Sequence, residues 1–176
     1  MIEHIPQEIL SVYKKLKEAN FEVYLVGGCV RNMLLKKPVK DWDMATNATP
    51  EDLLKIFKEG FYDNKFGTVG VPILTQEYGR IVVESTTFRT EHGFSDRRRP
   101  DIVKWGKSVE EDLARRDFTI NAIAAKVTSE KQQETRRSDL SLVSCHLSLV
   151  DPFNGQEDIK SIIIRAVGDP KERFKE

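Results

Sequence analysis

Apolar and polar positions in the first third of the chain follow helical spacing in some stretches and strand-like runs in others. Residues 7–18 carry apolar side chains at helical spacing with lysines on the outer face, which predicts a helix. A short apolar run ended by two glycines predicts a buried strand, and Thr49 before Pro50 marks a helix start. The elements predicted here are helices at 7–18, 30–36 and 49–58 and strands at 21–26 and 42–45.

The remaining residues mix β-branched runs with polar stretches. Ser108, followed by acidic residues, predicts a helix that continues to about Arg115, whereas periodicity leaves 118–127 open between strand and helix. This order of elements predicts a mixed α and β fold with one sheet. The other predictions are strands at 66–74 and 80–87, loops at 89–104 and 128–139, and helices that begin near 157 and 169.

Composition narrows the class of protein. With 176 residues, of which 39% are hydrophobic, the chain is long and apolar enough to bury a core without the help of disulfides or structural metals. It has neither the ~20-residue apolar run of a membrane helix nor a signal-peptide pattern, and Cys29 and Cys145 are too few for a disulfide framework. We therefore expect a reduced, cytoplasmic protein without a membrane partner. A net charge of zero excludes a globally basic nucleic-acid binder but leaves a local basic surface open.

Alternating acids at Asp41 and Asp43 are the first candidates for chemistry. In a strand both face the same side, with α-carbons roughly 6.6 Å apart at a rise of ~3.3 Å per residue. Carboxylates at that spacing can bridge two hard cations about 3.5–4 Å apart, while Trp42 points into the core. Two solvated acids on an edge strand give the same pattern, and this feature alone favours that interpretation.

Two further positions have both a chemical and a plain structural interpretation. Gly27-Gly28 precedes a helix that carries Arg31, so the backbone there can approach a phosphate that Arg31 contacts. A tight strand-to-helix turn explains these residues equally well. Glu84 interrupts a β-branched run, and it either completes a carboxylate cluster or faces water, which the residue alone favours.

A charged segment between 112 and 122 is the last candidate. Arg116, Asp117 and Asn121 together can hold a ribose and a triphosphate. Charges at a helix end explain the same residues, because arginines suit a helix C-terminus and Asp117 can pair with one of them.

In combination these motifs are much more specific than each is alone. Gly-Gly-x-x-Arg, two alternating aspartates, a strand glutamate and Arg-Arg-Asp-Phe-Thr-x-Asn-Ala follow one another in this order. The chain thereby resembles the bacterial class II tRNA nucleotidyltransferases, or CCA-adding enzymes, and their relatives the bacterial poly(A) polymerases. The likeness covers nearly the whole chain, in the stretches 26–32, 40–50, 66–71, 88–91, 112–124, 151–158 and 165–170.

This resemblance implies both a fold and a site. The fold is α+β, a polymerase-β-like nucleotidyltransferase head in which helices flank a mixed sheet. Asp41 and Asp43 would hold two Mg²⁺ ions, with Glu84 as the third catalytic acid. The residues implied to contact the nucleotide are Gly27, Gly28, Arg31, Arg116, Asp117 and Asn121.

The implied activity is template-independent addition of C, A or both, from CTP and ATP, to the 3′ end of tRNA by two-metal phosphoryl transfer. Two alternatives stay open: the head of a bacterial poly(A) polymerase, and a non-catalytic nucleotide-binding module of the same fold. Three acids in one set argue against the module. In the family, a loop corresponding to residues 89–100 is associated with addition of the final A, which leans against an enzyme that adds only C.

The chain also departs from the pattern of the family. Asn32 stands where the family usually has Asp, and Lys36 replaces a usual glycine. We expect residues 1–150 to form the head with an irregular insert at about 128–149, and 151–176 to end the head and begin a truncated helical neck. Because the base-reading helices of the family would follow, we expect a fragment that binds Mg²⁺–nucleotide with little choice of base.

Overall fold

Ten strands and six helices occur in the part of the chain that the computed structural model describes, residues 1–64, 67–75, 79–92, 102–131 and 142–174. The strands are β1 (Ile2–Pro6), β2 (Val23–Val26), β3 (Asp43–Thr46), β4 (Phe61–Asn64), β5 (Thr68–Thr75), β6 (Gly79–Thr87), β7 (Arg89–His92), β8 (Ile102–Trp105), β9 (Ala124–Lys131) and β10 (Leu142–Val150). The helices are α1 (Gln7–Glu18), α2 (Gly28–Leu34), α3 (Pro50–Ile56), α4 (Val109–Ala114), α5 (Gly155–Ser161) and α6 (Pro170–Arg173), and a 3₁₀ turn spans Thr119–Asn121.

Eight of these strands form one mixed sheet, in the order β1-β10-β9-β2-β3-β6-β5-β4. Neighbouring strands are antiparallel except β3 and β6, which pair in parallel with Asp43 opposite Glu84. The first strand forms one edge of the sheet. It pairs with β10, and the terminal ammonium of Met1 donates to the Leu147 carbonyl at 3.0 Å. The predicted α+β fold with a mixed sheet is therefore confirmed.

Two apolar clusters cover the two faces of this sheet. Alternate residues of β2 point in opposite directions, so Leu25 packs with the apolar side of α1 and Val26 packs with Leu113 of α4. The same alternation continues in β3, where Met44 belongs to the first cluster and Ala45 to the second. Asp43 therefore lies on the α4 face of the sheet, at the start of its strand.

Local capping explains why the predicted starts of α3 and α4 are correct. The Thr49 hydroxyl accepts from the Asp52 N–H while the Asp52 carboxylate accepts from the Thr49 N–H, a capping box at the start of α3. The Ser108 hydroxyl accepts from the Glu111 N–H in the same way at the start of α4. Within the described residues, no helix is both long enough and apolar enough to span a lipid bilayer.

The prediction of a loop at 89–104 is wrong at both ends of this segment, where the structure has strands. Strands β7 and β8 pair antiparallel there, with Arg89 opposite Trp105. Backbone hydrogen bonds form beside polar side chains as readily as beside apolar ones, so polarity alone is a poor guide to a two-stranded ribbon. Residues 93–101, and with them most of the predicted loop, lie outside the described residues.

The predicted irregular insert at about 128–149 is also wrong where the structure describes it. Strands β9 and β10 pair antiparallel across it, with Ser144 opposite Lys131 and one register shift between His146 and Leu147. Burial of Cys145 and Leu147 on the inner face holds β10 in the sheet. The segment 132–141 lies outside the described residues.

Candidate functional site

Six of the nine predicted site residues lie together at one end of β3, on the α4 face of the sheet. The turn between β2 and α2, the start of β3 with the part of β6 that pairs with it, and the segment after α4 meet here. These six residues are Gly27, Arg31, Asp43, Glu84, Arg116 and Asn121.

Of the two alternating acids, Asp43 is the first residue of β3 and Asp41 precedes the strand. Trp42 is 3% exposed and packs in the α1-side cluster, whereas Asp41 is exposed and Asp43 is partly buried. The Glu84 N–H donates to the Trp42 carbonyl at 3.2 Å, which fixes the register of Glu84 against the acid pair. In the described part of the chain, no three acidic, histidine or cysteine side chains are close enough to hold a metal ion.

The carboxyl of Asp43 is affected both by burial and by its charged neighbours. Burial raises the pKa of its carboxyl above the ordinary value, the nearby positive charge of Arg116 lowers it, and the negative charge of Asp41 raises it. A partly buried carboxylate in this position gains from any additional cation. Oxygen ligands of this kind suit hard divalent ions.

Gly27 owes its identity to the close approach of Arg116. It has φ of 71° and ψ of −132°, a conformation that only glycine adopts without strain. A Cβ at this position would lie 2.8 Å from Arg116 Nη1 and 3.6 Å from Asp43 Oδ2. The missing side chain therefore leaves room for a guanidinium beside the Asp43 carboxylate. Gly28 follows as the first residue of α2, and a Cβ there would contact Arg31 Nη2 at an ordinary 3.7 Å.

Two asparagines hold Arg31. Its Nη1 donates to Asn121 Oδ1 at 2.6 Å, while its Nε and Nη2 donate to Asn32 Oδ1 at 3.3 and 3.1 Å. Asn32 in turn donates from Nδ2 to the Pro38 carbonyl at 3.2 Å, which ties α2 to the loop before Asp41. The amide of Asn32 thus orients Arg31 from one side and the loop from the other. In that loop Lys36 has a left-handed backbone with φ of 55°, a conformation that glycine adopts at no steric cost.

Arg116 is held by a residue that the sequence analysis did not select. Its Nη2 donates to Asp112 Oδ2 at 3.2 Å, and its Nη1 donates to the Asn121 carbonyl at 3.4 Å. The other oxygen of Asp112 accepts from Arg115 Nε at 2.9 Å. The helical spacing of an acid three and four residues before two arginines is a signal that points to this role.

Asp117, the next residue along the chain, is exposed beside this cluster. Its carbonyl accepts from the Val167 N–H at 3.0 Å. No hydrogen bond in the described part of the chain links its carboxylate to the other predicted residues.

The last helix caps α4 next to this cluster. Arg173 of α6 donates from Nη1 to the Arg115 carbonyl at 3.0 Å and from Nη2 to the Ala114 carbonyl at 2.8 Å. These are carbonyls that the end of a helix leaves without a partner of its own. The backbone just before Arg116 is therefore fixed by a contact with the far end of the chain.

Comparison with protein families shows where this arrangement belongs. The family model of the poly(A) polymerase head domain matches residues 23–165, which include all nine predicted site residues. The chain belongs to the poly(A) polymerase head-domain family. Membership of this family confirms the resemblance predicted from the sequence and the nucleotidyltransferase head fold.

Curated relatives of this family member are named CCA-adding enzymes. The chain is 45% identical over 169 residues to that of Listeria monocytogenes serovar 1/2a, covering 95% of this chain and 37% of the relative. It is 44% identical over 168 residues to that of Lactobacillus helveticus, covering 95% of this chain and 36% of the relative. The chain thus spans little more than a third of the length of these relatives.

Solved structures of CCA-adding enzymes share the fold of this family member. The Bacillus stearothermophilus enzyme in complex with CTP matches with a TM-score of 0.71 and 37% identity, over 96% of this chain and 35% of that one. The Thermotoga maritima enzyme complexed with tRNA matches with a TM-score of 0.58 and 25% identity, over 91% of this chain and 32% of that one. The match of a whole mixed sheet with its flanking helices confirms the predicted fold.

Proposed function

We propose that the chain is the catalytic head of a template-independent RNA 3′-end nucleotidyltransferase, which adds C, A or both from CTP and ATP to the 3′ end of tRNA. The observation that carries this proposal is the position of Asp43 beside Arg116, at a glycine turn that leaves room for both. An acid that gains from a cation and an arginine turned toward the same space suit a metal-bound nucleoside triphosphate.

The acids serve the reacting end of the nucleotide in this proposal. Asp41 and Asp43 would hold two Mg²⁺ ions, and Glu84 would complete the set from the neighbouring strand. The donor chemistry fits, because all three side chains offer carboxylate oxygens and burial leaves Asp43 short of positive charge. When bound, the metal ions activate the attacking 3′-hydroxyl and neutralise charge at the α-phosphate. Asp43 lies deepest and sets the position of the acid pair.

The basic and amide side chains serve the rest of the nucleotide. Arg31 and Arg116 contact phosphate oxygens, because both guanidinium groups are fixed by neutral or buried partners and keep a net positive charge. Gly27 and Gly28 let the backbone approach the phosphates. Asp117, which is exposed, and Asn121 hold the ribose.

Whole-enzyme properties extend beyond the residues of this chain. We propose that residues 1–150 form the head and that 151–176 lead from the head into a helical neck. The substrate tRNA and the choice of base then depend on regions that the relatives have and this chain does not cover. We place the protein in the cytoplasm.

A poly(A) polymerase head is the second candidate, because the family model covers such heads. The curated relatives named above favour CCA addition instead. The stretch 65–69 also resembles the CCA-adding group more closely, although residues 65 and 66 lie outside the described residues.

Calorimetric titration of the four nucleoside triphosphates, with and without Mg²⁺, tests the binding part of the proposal. The wild-type chain should bind all four in the presence of Mg²⁺ with affinities within about threefold of one another, because the choice of base depends on regions outside this chain. A single base-specific contact worth 1.4 kcal/mol would already separate two of the affinities tenfold. The double variant Asp41→Asn, Asp43→Asn should lose this binding. A matched variant, Glu110→Gln with Glu157→Gln, removes two exposed acids and should bind like wild type.

A chimaera tests the catalytic part. This chain replaces the matching head of the Listeria relative, to which it is 45% identical. The chimaera should add C and A to a tRNA that lacks its 3′ end, and the Asp41, Asp43 variant should not. Long runs of A would support the poly(A) candidate, and a folded chimaera that binds nucleotide but adds none would show a non-catalytic module.

A further inference from the structure

A buried carboxylate lies between two arginines behind the proposed nucleotide site. Asp112 of α4 has no exposed surface, whereas the side chains of Arg115 and Arg116 remain 16% and 18% exposed. Each arginine bonds a different oxygen, Arg115 to Oδ1 at 2.9 Å and Arg116 to Oδ2 at 3.2 Å. The carboxylate is therefore fixed at both oxygens, and it fixes both guanidinium groups in return.

Charge and geometry indicate that Arg116, of the two arginines, is directed toward the Gly27 turn. One carboxylate between two guanidinium groups leaves a net charge of plus one. Arg116 Nη1 lies 2.8 Å from the position that a Cβ on Gly27 would occupy, so its guanidinium borders the glycine turn. Its Nε is buried without a hydrogen-bond partner among the described residues, so Nη2 on Asp112 and Nη1 on Asn121 set its direction.

We propose that Asp112 is a positioning residue that holds the Arg116 guanidinium toward the Gly27 turn, where Arg116 contacts the phosphates of a bound nucleoside triphosphate. The proposal rests on the function proposed above and deepens it. Asp112 itself touches neither nucleotide nor metal and acts through Arg116. A purely structural role at the end of α4 would stabilise the fold without changing how tightly nucleotide binds once the chain is folded.

A double-mutant cycle on nucleotide affinity separates the two roles. Kd for Mg²⁺–ATP and Mg²⁺–CTP is measured for wild type, Asp112→Asn, Arg116→Lys and the double variant. Asp112→Asn should weaken binding about tenfold, the lower end of what loss of an orienting partner costs at metal sites. In the Arg116→Lys background the same change should have almost no further effect, because its only route to the nucleotide is already lost. Glu110→Gln, an exposed acid on the same helix, should leave Kd within twofold.

Asparagine removes a charge from a site that carries two cations, so folding needs its own control. The variant Asp112→Asn with Arg115→Gln removes one charge of each sign and keeps an amide oxygen for Arg116. It should also bind nucleotide about tenfold more weakly than wild type. In the nucleotide-free protein, NMR should show slow rotation of the Arg116 guanidinium in wild type and fast rotation in this variant, while Arg31, held by two asparagines, stays unchanged.

Two results would overturn the proposal. One is a folded Asp112 variant that binds nucleotide within twofold of wild type. The other is a double variant in which the losses from Asp112 and Arg116 multiply, since independent losses mean that Asp112 does not act through Arg116. Absence of any nucleotide binding by the wild-type chain is a separate result, which would contradict the proposed function and the role of Asp112 together.

Discussion

Gly27 and Gly79 both have positive φ, at 71° and 67°, but their surroundings differ. A Cβ on Gly27 would meet Arg116 at 2.8 Å, whereas a Cβ on Gly79 would meet no described atom within 4 Å. At both positions the positive φ favours glycine. At Gly27, but not at Gly79, a side chain would also collide with Arg116. The pair therefore separates backbone strain from displacement of Arg116.

Gly27→Ala and Gly79→Ala should both destabilise the fold, by about 1–3 kcal/mol each, the range for a strained backbone conformation. Gly27→Ala should in addition weaken Mg²⁺–nucleotide binding at least tenfold, because the new methyl group pushes Arg116 away from Asp43. Urea denaturation gives the two stabilities and calorimetry the two affinities. Equal affinities in the two variants would show that the space at Gly27 does not serve the nucleotide.

Single residues were predictable from the sequence where their chemistry belongs to the side chain itself. The acid pair, Arg31 and Arg116 stand out in a family motif, and the structure brings most of the predicted set together. Asp112 and Asn32 were not selected as site residues, because their role is to hold other side chains. For Asn32 this role depends on groups that only the fold brings near, whereas the helical spacing of Asp112 before the two arginines is a local signal that points to its role.

Helix α5 ends on a residue that does not suit its backbone. Ile162 has φ of 57° and ψ of 41°, and it is 93% exposed. The backbone N–H of Ile163 donates to the Asp158 carbonyl at 2.9 Å, so the helix ends in a left-handed turn. Glycine is the usual residue in such a position, and a β-branched side chain is strained there.

Ile162→Gly should stabilise the chain by about 1 kcal/mol, since a left-handed conformation costs an ordinary residue about 1–2 kcal/mol and glycine loses part of this gain through its freer unfolded state. Ile162→Ala removes the same exposed apolar surface but keeps a Cβ, and it should gain clearly less. Urea denaturation midpoints of the three proteins provide the measurement. Equal gains from alanine and glycine would assign the effect to the exposed side chain instead of the backbone.

Elements with local signals were predictable, and elements held by distant partners were not. Helix α1 has an amphipathic pattern, and α3 and α4 have side-chain caps, within a few residues of sequence. The strands β1 and β4 and the ribbon β7–β8 have short or polar sequences and exist because a partner strand lies beside them. Strand β10, predicted as part of an irregular insert, likewise depends on its pairing with β9 and β1.

At the scale of the molecule, the carboxylate of Asp158 joins the C-terminal segment to the site through a hydrogen bond from Thr119. Asp158 of α5 accepts from the Arg165 Nε at 3.1 and 3.2 Å and from the Thr119 hydroxyl at 2.7 Å. Thr119 begins the 3₁₀ turn that ends at Asn121, the partner of Arg31. The hydrogen bonds from Arg165, and then from Thr119, hold the pKa of Asp158 below its ordinary value.

A carboxyl with a lowered pKa in the folded state adds stability above its unfolded value of 3.8, and this stability is lost as the pH falls through the lower folded value. Asp158→Asn should therefore be less stable than wild type at pH 7, and the difference should shrink as the pH drops below 3.8. Urea denaturation at a series of pH values tests this. Glu157→Gln, an exposed acid next in sequence, should show no such convergence, and an Asp158→Asn deficit that persists undiminished in acid would contradict the assignment.

The position of β1 at the edge of the sheet bears on the order in which strands can pair during synthesis. Strand β1 is made well before its partner β10, because Met1 and Leu147, which meet in the sheet, are 146 residues apart. Until β10 is made, β1 lacks the strand with which it pairs. Arg173, which caps α4, is made later still, so the backbone beside Arg116 gains this support only after all ten described strands have been made.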